Sequence, residues 1–150
     1  MTRVAAIDCG TNSIRLLVAD GHIDESGRPH LADLTRQMRI VRLGQGVDAR
    51  GYLNPAAIER TVEATVEYQR MIEALGATKT RFVATSATRD ASNSADFVRQ
   101  IKAVIGVEPE VVVGTEEASL SFNGAVSGLG ESVAAPMLVV DIGGGSTELV

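Results

Sequence analysis

Short runs of aliphatic and β-branched residues alternate along the chain with longer amphipathic segments. A glycine-containing turn separates the first two runs, an arrangement that is typical of a β-hairpin. A third run precedes the first amphipathic segment, and one further run precedes each of the next two. The pattern therefore predicts five strands, at residues 3–8, 14–20, 31–43, 80–85 and 110–113.

The amphipathic segments carry apolar residues three or four positions apart, which predicts three helices. Each has a short polar side chain that can cap its first turn, and two of them end at glycine. The first also has Pro55 at its first position, where the missing N–H costs nothing. The predicted N-caps and ends are Asn54 and Gly76, Ser94 and Gly106, and Thr115 and about Val126.

The predicted order is three strands, helix, strand, helix, strand, helix. An antiparallel meander followed by right-handed strand–helix–strand crossovers is the plan of a ribonuclease-H-like lobe of the actin-like ATPase superfamily. We therefore predict an α/β lobe with a five-stranded mixed sheet and flanking helices over residues 1–127. Residues 128–136, rich in Gly, Ser and Ala, are predicted to be a crossover linker.

Residues 137–150 are predicted to begin a second lobe of the same kind with its first hairpin. Glu148, Leu149 and Val150 look like the start of the return strand of that hairpin, and the chain then stops. A hairpin alone is marginal in water and leaves open strand edges. We therefore expect this chain to be a fragment of a longer protein.

Two similar glycine turns follow apolar strands near the two ends of the chain. Glycines let backbone N–H groups approach an anion closely, Thr and Ser hydroxyls add donors, and Asp can hold a cation or a water. A pair of such turns predicts a phosphate that is held from two sides. The turns are Asp8-Cys9-Gly10-Thr11-Asn12-Ser13 and Asp141-Ile142-Gly143-Gly144-Gly145-Ser146-Thr147-Glu148.

Composition narrows the class of protein. With 150 residues and 45% hydrophobic content, the chain can bury one real core. Its 14 basic and 19 acidic residues give a net charge of -5, so no global positive field attracts nucleic acid. Cys9 is the single cysteine, and neither a signal peptide nor a membrane-spanning apolar run is visible. We expect a cytoplasmic protein without a membrane or specific nucleic-acid partner.

Four motifs together resemble, in order and spacing, the exopolyphosphatase/guanosine pentaphosphate phosphohydrolase (Ppx/GppA) family. The resemblance covers essentially the whole chain as the N-terminal portion of a family member, and residues 40–48 are especially similar to actinobacterial members. The motifs are residues 8–15, Ala84-Thr85-Ser86-Ala87-Thr88-Arg89-Asp90-Ala91, Gly114-Thr115-Glu116-Glu117-Ala118 and residues 141–148.

The resemblance implies hydrolysis of a terminal phosphoanhydride in inorganic polyphosphate or in the alarmone guanosine pentaphosphate (pppGpp), with Mg²⁺. It places the catalytic base at Glu117. An alternative for this residue is purely structural, because carboxylates in a first helical turn favour the helix dipole. Arg89 is predicted to grip the terminal phosphate, since a guanidinium matches two phosphate oxygens. Its alternative is a surface ion pair with Asp90.

The remaining site residues divide into phosphate donors and metal ligands. Arg15 has an alternative role as a solvated side chain, because strand alternation places it on the opposite face from Ile14 and Leu16. Asp141, with Asp8 and Glu148, is the predicted Mg²⁺ site, since Mg²⁺ prefers one or two carboxylates with waters. Cys9 is interpreted as core filler. The predicted phosphate-binding residues are Gly10, Thr11, Asn12, Ser13, Arg15, Gly143, Gly144, Gly145, Ser146 and Thr147.

Two other functions stay open. A sugar or acetate kinase of the same superfamily also begins with an Asp-x-Gly turn, but it lacks the motif at 84–91. A binding module for polyphosphate or the alarmone would need no base, and the presence of Glu117 argues against it. For the isolated chain we expect weak phosphate binding and little hydrolysis. Family members often dimerise, so the resemblance allows a homodimer for the longer protein.

Overall fold

The computed structural model describes residues 1–25, 27–127, 129 and 136–150. Apart from residues 129 and 136, the predicted crossover at 128–136 lies outside the described residues. The strands are β1 (Thr2–Cys9), β2 (Ser13–Ile23), β3 (Pro29–Ile40), β4 (Lys79–Ala84), β5 (Glu110–Val111), β6 (Val140–Ile142) and β7 (Thr147–Leu149). The helices are α1 (Val47–Arg50), α2 (Pro55–Leu75), α3 (Ser86–Arg89), α4 (Ser94–Ile105) and α5 (Gly114–Ser127).

In the part of the chain that the structure describes, five strands form one mixed sheet in the order β3-β2-β1-β4-β5. The pairs β1–β2 and β2–β3 are antiparallel, whereas β4 runs parallel to both β1 and β5. This order follows from a meander and two crossovers on the other side of β1. The predicted ribonuclease-H-like lobe with a five-stranded mixed sheet is confirmed.

One face of the sheet carries the hydrophobic core. Alternate residues of β1, among them Ile7 and Cys9, point to the side on which α2 and α4 pack, together with Phe82 of β4. The intervening residues form what we call the open face of the sheet, defined by Ala6, Asp8, Arg15, Leu17 and Val83. Because α2 and α4 cover only the core side, the open face is left to line a cavity with α5 and the second hairpin.

The ends of α2 match the prediction. The Asn54 side chain accepts a hydrogen bond from the Ala56 N–H at 2.9 Å, and Gly76 ends the helix with φ of 70°. The N-caps predicted for the other two helices are wrong. Asn93, not Ser94, precedes α4, and the Asn93 side chain bonds to both the N–H and the carbonyl of Leu53.

The α5 helix begins at Gly114, one residue before the predicted cap Thr115. The N–H groups of Glu116 and Glu117 both donate to the carbonyl of Val113, at 3.0 and 2.9 Å. Both carboxylates therefore lie in the first turn of α5, as the motif predicts.

Strand β3 ends at Ile40, earlier than predicted, because the chain leaves the ladder to wrap around the first glycine turn. The N–H groups of Val41 and Arg42 both donate to the Asn12 carbonyl, at 3.0 and 2.8 Å, and Arg42 has a positive φ of 50°. The short helices α1 and α3 were not predicted, since four residues are too few for a periodic signal.

The second hairpin is present as β6 and β7, which pair in antiparallel fashion. Strand β6 begins at Val140 rather than at 137, although Val139 and Val150 exchange backbone hydrogen bonds of 2.8 and 3.0 Å beyond the strand ends. The division of the chain at 127 and 137 stays a prediction.

Within the described ranges, no helix combines the length and the apolar character that crossing a bilayer requires.

A buried hydrogen bond between α2 and β2 allows a test of the core. The Tyr68 hydroxyl, fully buried, donates to the Ile14 carbonyl at 3.0 Å. Tyr68→Phe is expected to lower the free energy of unfolding of the chain by about 1 kcal/mol, since that bond is lost without replacement. Urea denaturation measures the difference. Tyr52→Phe is the control, because Tyr52 is exposed, and an equal loss in both variants would contradict the prediction.

Candidate active site

The two glycine turns have the same hydrogen-bond pattern. The Gly10 N–H donates to the Ser13 carbonyl at 3.0 Å, and the Gly143 N–H donates to the Ser146 carbonyl at 2.9 Å. The strands on either side also pair in the same register, since Asp8 faces Arg15 and Asp141 faces Glu148. The sequence repeat is therefore a structural repeat in which a glutamate takes the place of an arginine.

The two turns pack directly against each other. A Cβ atom placed on Gly145 would lie 2.6 Å from Thr11 Oγ1 and 2.8 Å from Ser86 Oγ, closer than real Cβ contacts come. The Thr11 and Ser86 hydroxyls are themselves hydrogen-bonded to each other at 2.8 Å. Only glycine at position 145 permits this approach, and the gap left between the turns is about 30 Å³.

Several backbone donors remain available in these turns. The amides of Gly10 and Gly143 are bonded within their own turns. By contrast, the amides of Thr11, Asn12, Gly144 and Gly145 donate to no backbone carbonyl of the described residues. If a phosphate binds here, these four amides are the donors that it can use, and Gly10 and Gly143 contribute turn geometry instead.

A cavity of about 650 Å³ lies between the open face of the sheet, α5 and the second turn. The sheet contributes Ala6, Asp8, Arg15, Leu17, Arg81 and Val83, among others, and the second turn contributes Asp141, Ile142 and Gly143. The α5 helix contributes Glu117, Leu120 and Ser121. The fold thus brings Asp8, Arg15, Glu117, Asp141 and Gly143 of the predicted set to one space.

Glu117 is half-buried in the wall of this cavity, with 16% of its side chain exposed. Burial raises the pKa of this carboxyl, and the negative charge of Glu148 raises it further. The Arg89 guanidinium opposes the rise in pKa, as does the Thr85 hydroxyl. A carboxylate with a raised pKa is a stronger base than one in water, so the environment suits proton abstraction.

Arg89 lies against this carboxylate. Its Nη1 donates to the Val112 carbonyl at 3.0 Å and to Glu117 Oε2 at 3.3 Å, and its Nε is 3.5 Å from Asp90. The alternative pairing with Asp90 is therefore present, and the contact with Glu117 was not predicted. Arg89 is not among the described residues that line the cavity, so its contacts are with Val112, Glu117 and Asp90, and its contact with phosphate stays a prediction.

The carboxylates of Asp8 and Asp141 line the same cavity and interact electrostatically. Burial raises the pKa of Asp8, and the nearby negative charge of Asp141 raises it further, whereas Arg15 at 3.5 Å lowers it. Within the described part of the chain, no group of three or more His, Cys, Asp or Glu residues could hold a metal ion. Asp8 and Asp141 alone still fit Mg²⁺, which needs only one or two carboxylates besides water and substrate oxygens.

Glu148 differs from the other two predicted metal ligands. It is buried, with 8% exposure, and it is not among the described residues that line the cavity. Its charge acts on the pKa of Glu117. The structure therefore links Glu148 electrostatically to Glu117, and the role of Glu148 as a metal ligand stays a prediction.

Three polar residues at the site were not singled out from the sequence. Thr85 and Ser86 lie inside the motif at 84–91, where only Arg89 was assigned a role. Ser121 follows Glu117 by one helical turn, and that spacing is the signal that could have identified it. Cys9 is confirmed as a core residue, since it is 1% exposed and burial strongly raises the pKa of its thiol.

Comparison with known proteins gives consistent matches. The profile of the Ppx/GppA phosphatase family matches residues 22–150. The chain is 52% identical, over its whole length, to Exopolyphosphatase 2 of Mycobacterium tuberculosis. Its structure is similar to the crystal structure of an exopolyphosphatase-like protein, with a TM-score of 0.90, 47% identity and 99% of this chain covered. It is also similar to the Aquifex aeolicus Ppx/GppA family member, with a TM-score of 0.80, 32% identity and 99% coverage.

These matches cover only part of each known protein. The chain spans about half the length of the curated mycobacterial relative, 48%, and 44% and 46% of the two solved proteins. What those proteins do as wholes therefore does not transfer to this chain as an observation.

The contact between the turns predicts a cost for any side chain at position 145. Gly145→Ala is expected to lower the free energy of unfolding by about 1–3 kcal/mol, because its Cβ would meet the Thr11 and Ser86 hydroxyls. Gly124→Ala is the matched control in α5, where nothing lies within 4 Å of the new Cβ, and it should stabilise by about 0.5–1 kcal/mol. Urea unfolding measures the stability of both variants. Equal stability of the two would show that the close contact of Gly145 with Thr11 and Ser86 does not matter for folding.

Proposed function

The chain belongs to the Ppx/GppA phosphatase family, and on that basis we propose that the protein it represents is a phosphohydrolase that releases terminal orthophosphate from inorganic polyphosphate. One observation supports this proposal above the others. A half-buried carboxylate, the two interacting aspartates Asp8 and Asp141, and Gly143 line one cavity, and the two glycine turns that continue from these aspartates pack against each other. These are the parts that hydrolysis of a phosphoanhydride requires.

In this proposal Glu117 is the general base. It accepts a proton from the water that attacks the terminal phosphorus atom, and its raised pKa makes it a stronger acceptor at neutral pH. The bond between phosphorus and the bridging oxygen breaks, and the shortened chain leaves as a phosphate anion. The amides of Thr11, Asn12, Gly144 and Gly145 stabilise the charge on the transferring group.

A divalent cation completes the proposed site. Enzymes of this family generally use divalent metal ions, and we infer that Asp8 and Asp141 hold Mg²⁺ here. The cation would neutralise phosphate oxygens during transfer. Arg15 pairs with Asp8 and lines the cavity, and we propose that it contacts a phosphate of the substrate.

The contacts of Arg89 support two linked roles. Its hydrogen bond to Glu117 holds the carboxylate in one orientation, and its charge favours the ionised form that acts as base. Binding of the terminal phosphate, which the family resemblance implies, stays its second proposed role. Both roles need an arginine, because the N–H groups of a planar guanidinium can donate to a carboxylate and a phosphate at the same time.

The finer assignments are also proposals. We infer pppGpp as a second substrate, a cytoplasmic location and a homodimeric full-length protein from the family resemblance alone. The chain by itself is expected to hydrolyse little, because its family relatives are about twice as long. A binding module without turnover is the competing function, and the half-buried position of Glu117 in the cavity wall disfavours it.

The decisive experiment is phosphate release by the full-length protein from long polyphosphate, short polyphosphate and pppGpp in the presence of Mg²⁺. Glu117→Gln is expected to lower kcat by about 10²–10⁴ while leaving polyphosphate binding intact, because only proton transfer is lost. Glu116→Gln is the matched control, since Glu116 is exposed in the same helical turn. Near-normal turnover by Glu117→Gln would mean that another residue is the base. If the unmodified full-length protein releases no phosphate, the binding module is favoured.

The Arg89–Glu117 contact predicts a pH effect. Since Arg89 lowers the pKa of Glu117, Arg89→Gln should raise that pKa and move the acidic limb of the kcat/KM profile to higher pH. Arg89→Lys retains a charge and should move the limb less. The measurement is kcat/KM from pH 5 to 9 for the three proteins. If Arg89 serves only to grip phosphate, KM will rise equally at every pH and the acidic limb will not move.

A further inference from the structure

The repeat leaves one of its two aspartates without a donor on its own hairpin. Asp8 has Arg15 as its cross-strand neighbour, and the two side chains form an ion pair at 3.5 Å. At the equivalent position Asp141 faces Glu148, which as a carboxylate cannot donate to it. Asp141 must therefore be oriented from another element.

The donor comes from α5. Ser121 Oγ donates to Asp141 Oδ2 at 2.5 Å, and both side chains line the cavity. Serine in a helix commonly donates to the carbonyl of the preceding turn. A hydroxyl has one proton, so the bond to Asp141 uses the capacity that would otherwise serve the helix backbone. The bond is therefore a link between α5 and the second hairpin.

The same helix carries the proposed base. Ser121 follows Glu117 by four residues, which places both on one face of α5. One rigid element thus contacts the Asp141 carboxylate and presents the Glu117 carboxylate to the same cavity. No hydrogen bond to the second oxygen of Asp141, Oδ1, comes from the residues that the structure describes, so this oxygen remains available to a cation.

We propose that Ser121 is a positioning residue that orients Asp141 toward the divalent cation and fixes the cation relative to Glu117. This inference rests on the proposed function. Hydrogen bonds that hold a metal-binding carboxylate commonly change metal affinity by about 10–100-fold when they are removed. Ser121 does not touch the substrate in this proposal, and its effect passes through Asp141.

The test is the affinity of the full-length protein for Mg²⁺, measured by isothermal titration calorimetry without substrate. Ser121→Ala is expected to raise the Kd at least tenfold, and Ser121→Thr, which keeps the hydroxyl, should retain most of the affinity. Ser119→Ala is the matched control, because Ser119 is exposed on the same helix. This variant should bind Mg²⁺ with the affinity of the unmodified protein. Asp141→Asn provides the reference for loss of the ligand itself. Alanine favours helices, so Ser121→Ala should remain folded, and a circular dichroism spectrum verifies this.

Kinetics supply a second measurement. In Ser121→Ala, added Mg²⁺ should restore much of kcat, while the KM for polyphosphate at saturating Mg²⁺ stays near that of Ser119→Ala. If Asp141→Asn loses Mg²⁺ binding and Ser121→Ala does not, the role of Ser121 is refuted and the proposed function stands. If Asp141→Asn binds Mg²⁺ normally, the cation lies elsewhere, which refutes this inference together with the proposed metal site. Phosphate release by the unmodified full-length protein tests the proposed hydrolase activity separately.

Discussion

The contact between the two glycine turns is the constraint on which the rest of the site depends. Gly145 lies so close to the hydrogen-bonded hydroxyls of Thr11 and Ser86 that no larger residue fits without displacement. This contact places Asp141 near Asp8, which is visible in the effect of the Asp141 charge on the pKa of Asp8. Without it, each turn would be an ordinary hairpin bend at a separate place on the molecule.

The electrostatics of the site depend on one difference between the two copies of the glycine-turn repeat. The repeat gives each turn an aspartate at the strand end, yet the residue opposite is Arg15 in one copy and Glu148 in the other. The arginine pairs with its aspartate, whereas Glu148 is buried and raises the pKa of Glu117. Helix α5 provides what the second hairpin lacks, through Ser121. One difference within the repeat thus gives the first aspartate an ion pair and the second hairpin a carboxylate whose charge acts on Glu117.

Much of the lobe could be predicted because its signals are local. Strand alternation placed Arg15 on the opposite face of β2 from Ile14 and Leu16, and Asn54 and Gly76 marked both ends of α2. Predictions failed where a side chain or a backbone group forms a hydrogen bond with a residue far away in sequence. Asn93 caps no helix with its side chain because it is bonded to Leu53, and β3 ends early because Val41 and Arg42 bond to the Asn12 carbonyl. Neither partner is near in sequence.

The sequence by itself determined the fold class, the family and the repeat, since hydrophobic periodicity, glycine turns and motif order are all written along one chain. It also indicated Glu117 and both aspartates as residues of one site. Only the tertiary structure decided that Arg89 contacts Glu117, that the charge of Glu148 raises the pKa of Glu117, and that Ser121 bonds to Asp141. These relations join elements that are far apart in sequence, and their distances depend on how the second hairpin packs against the first lobe.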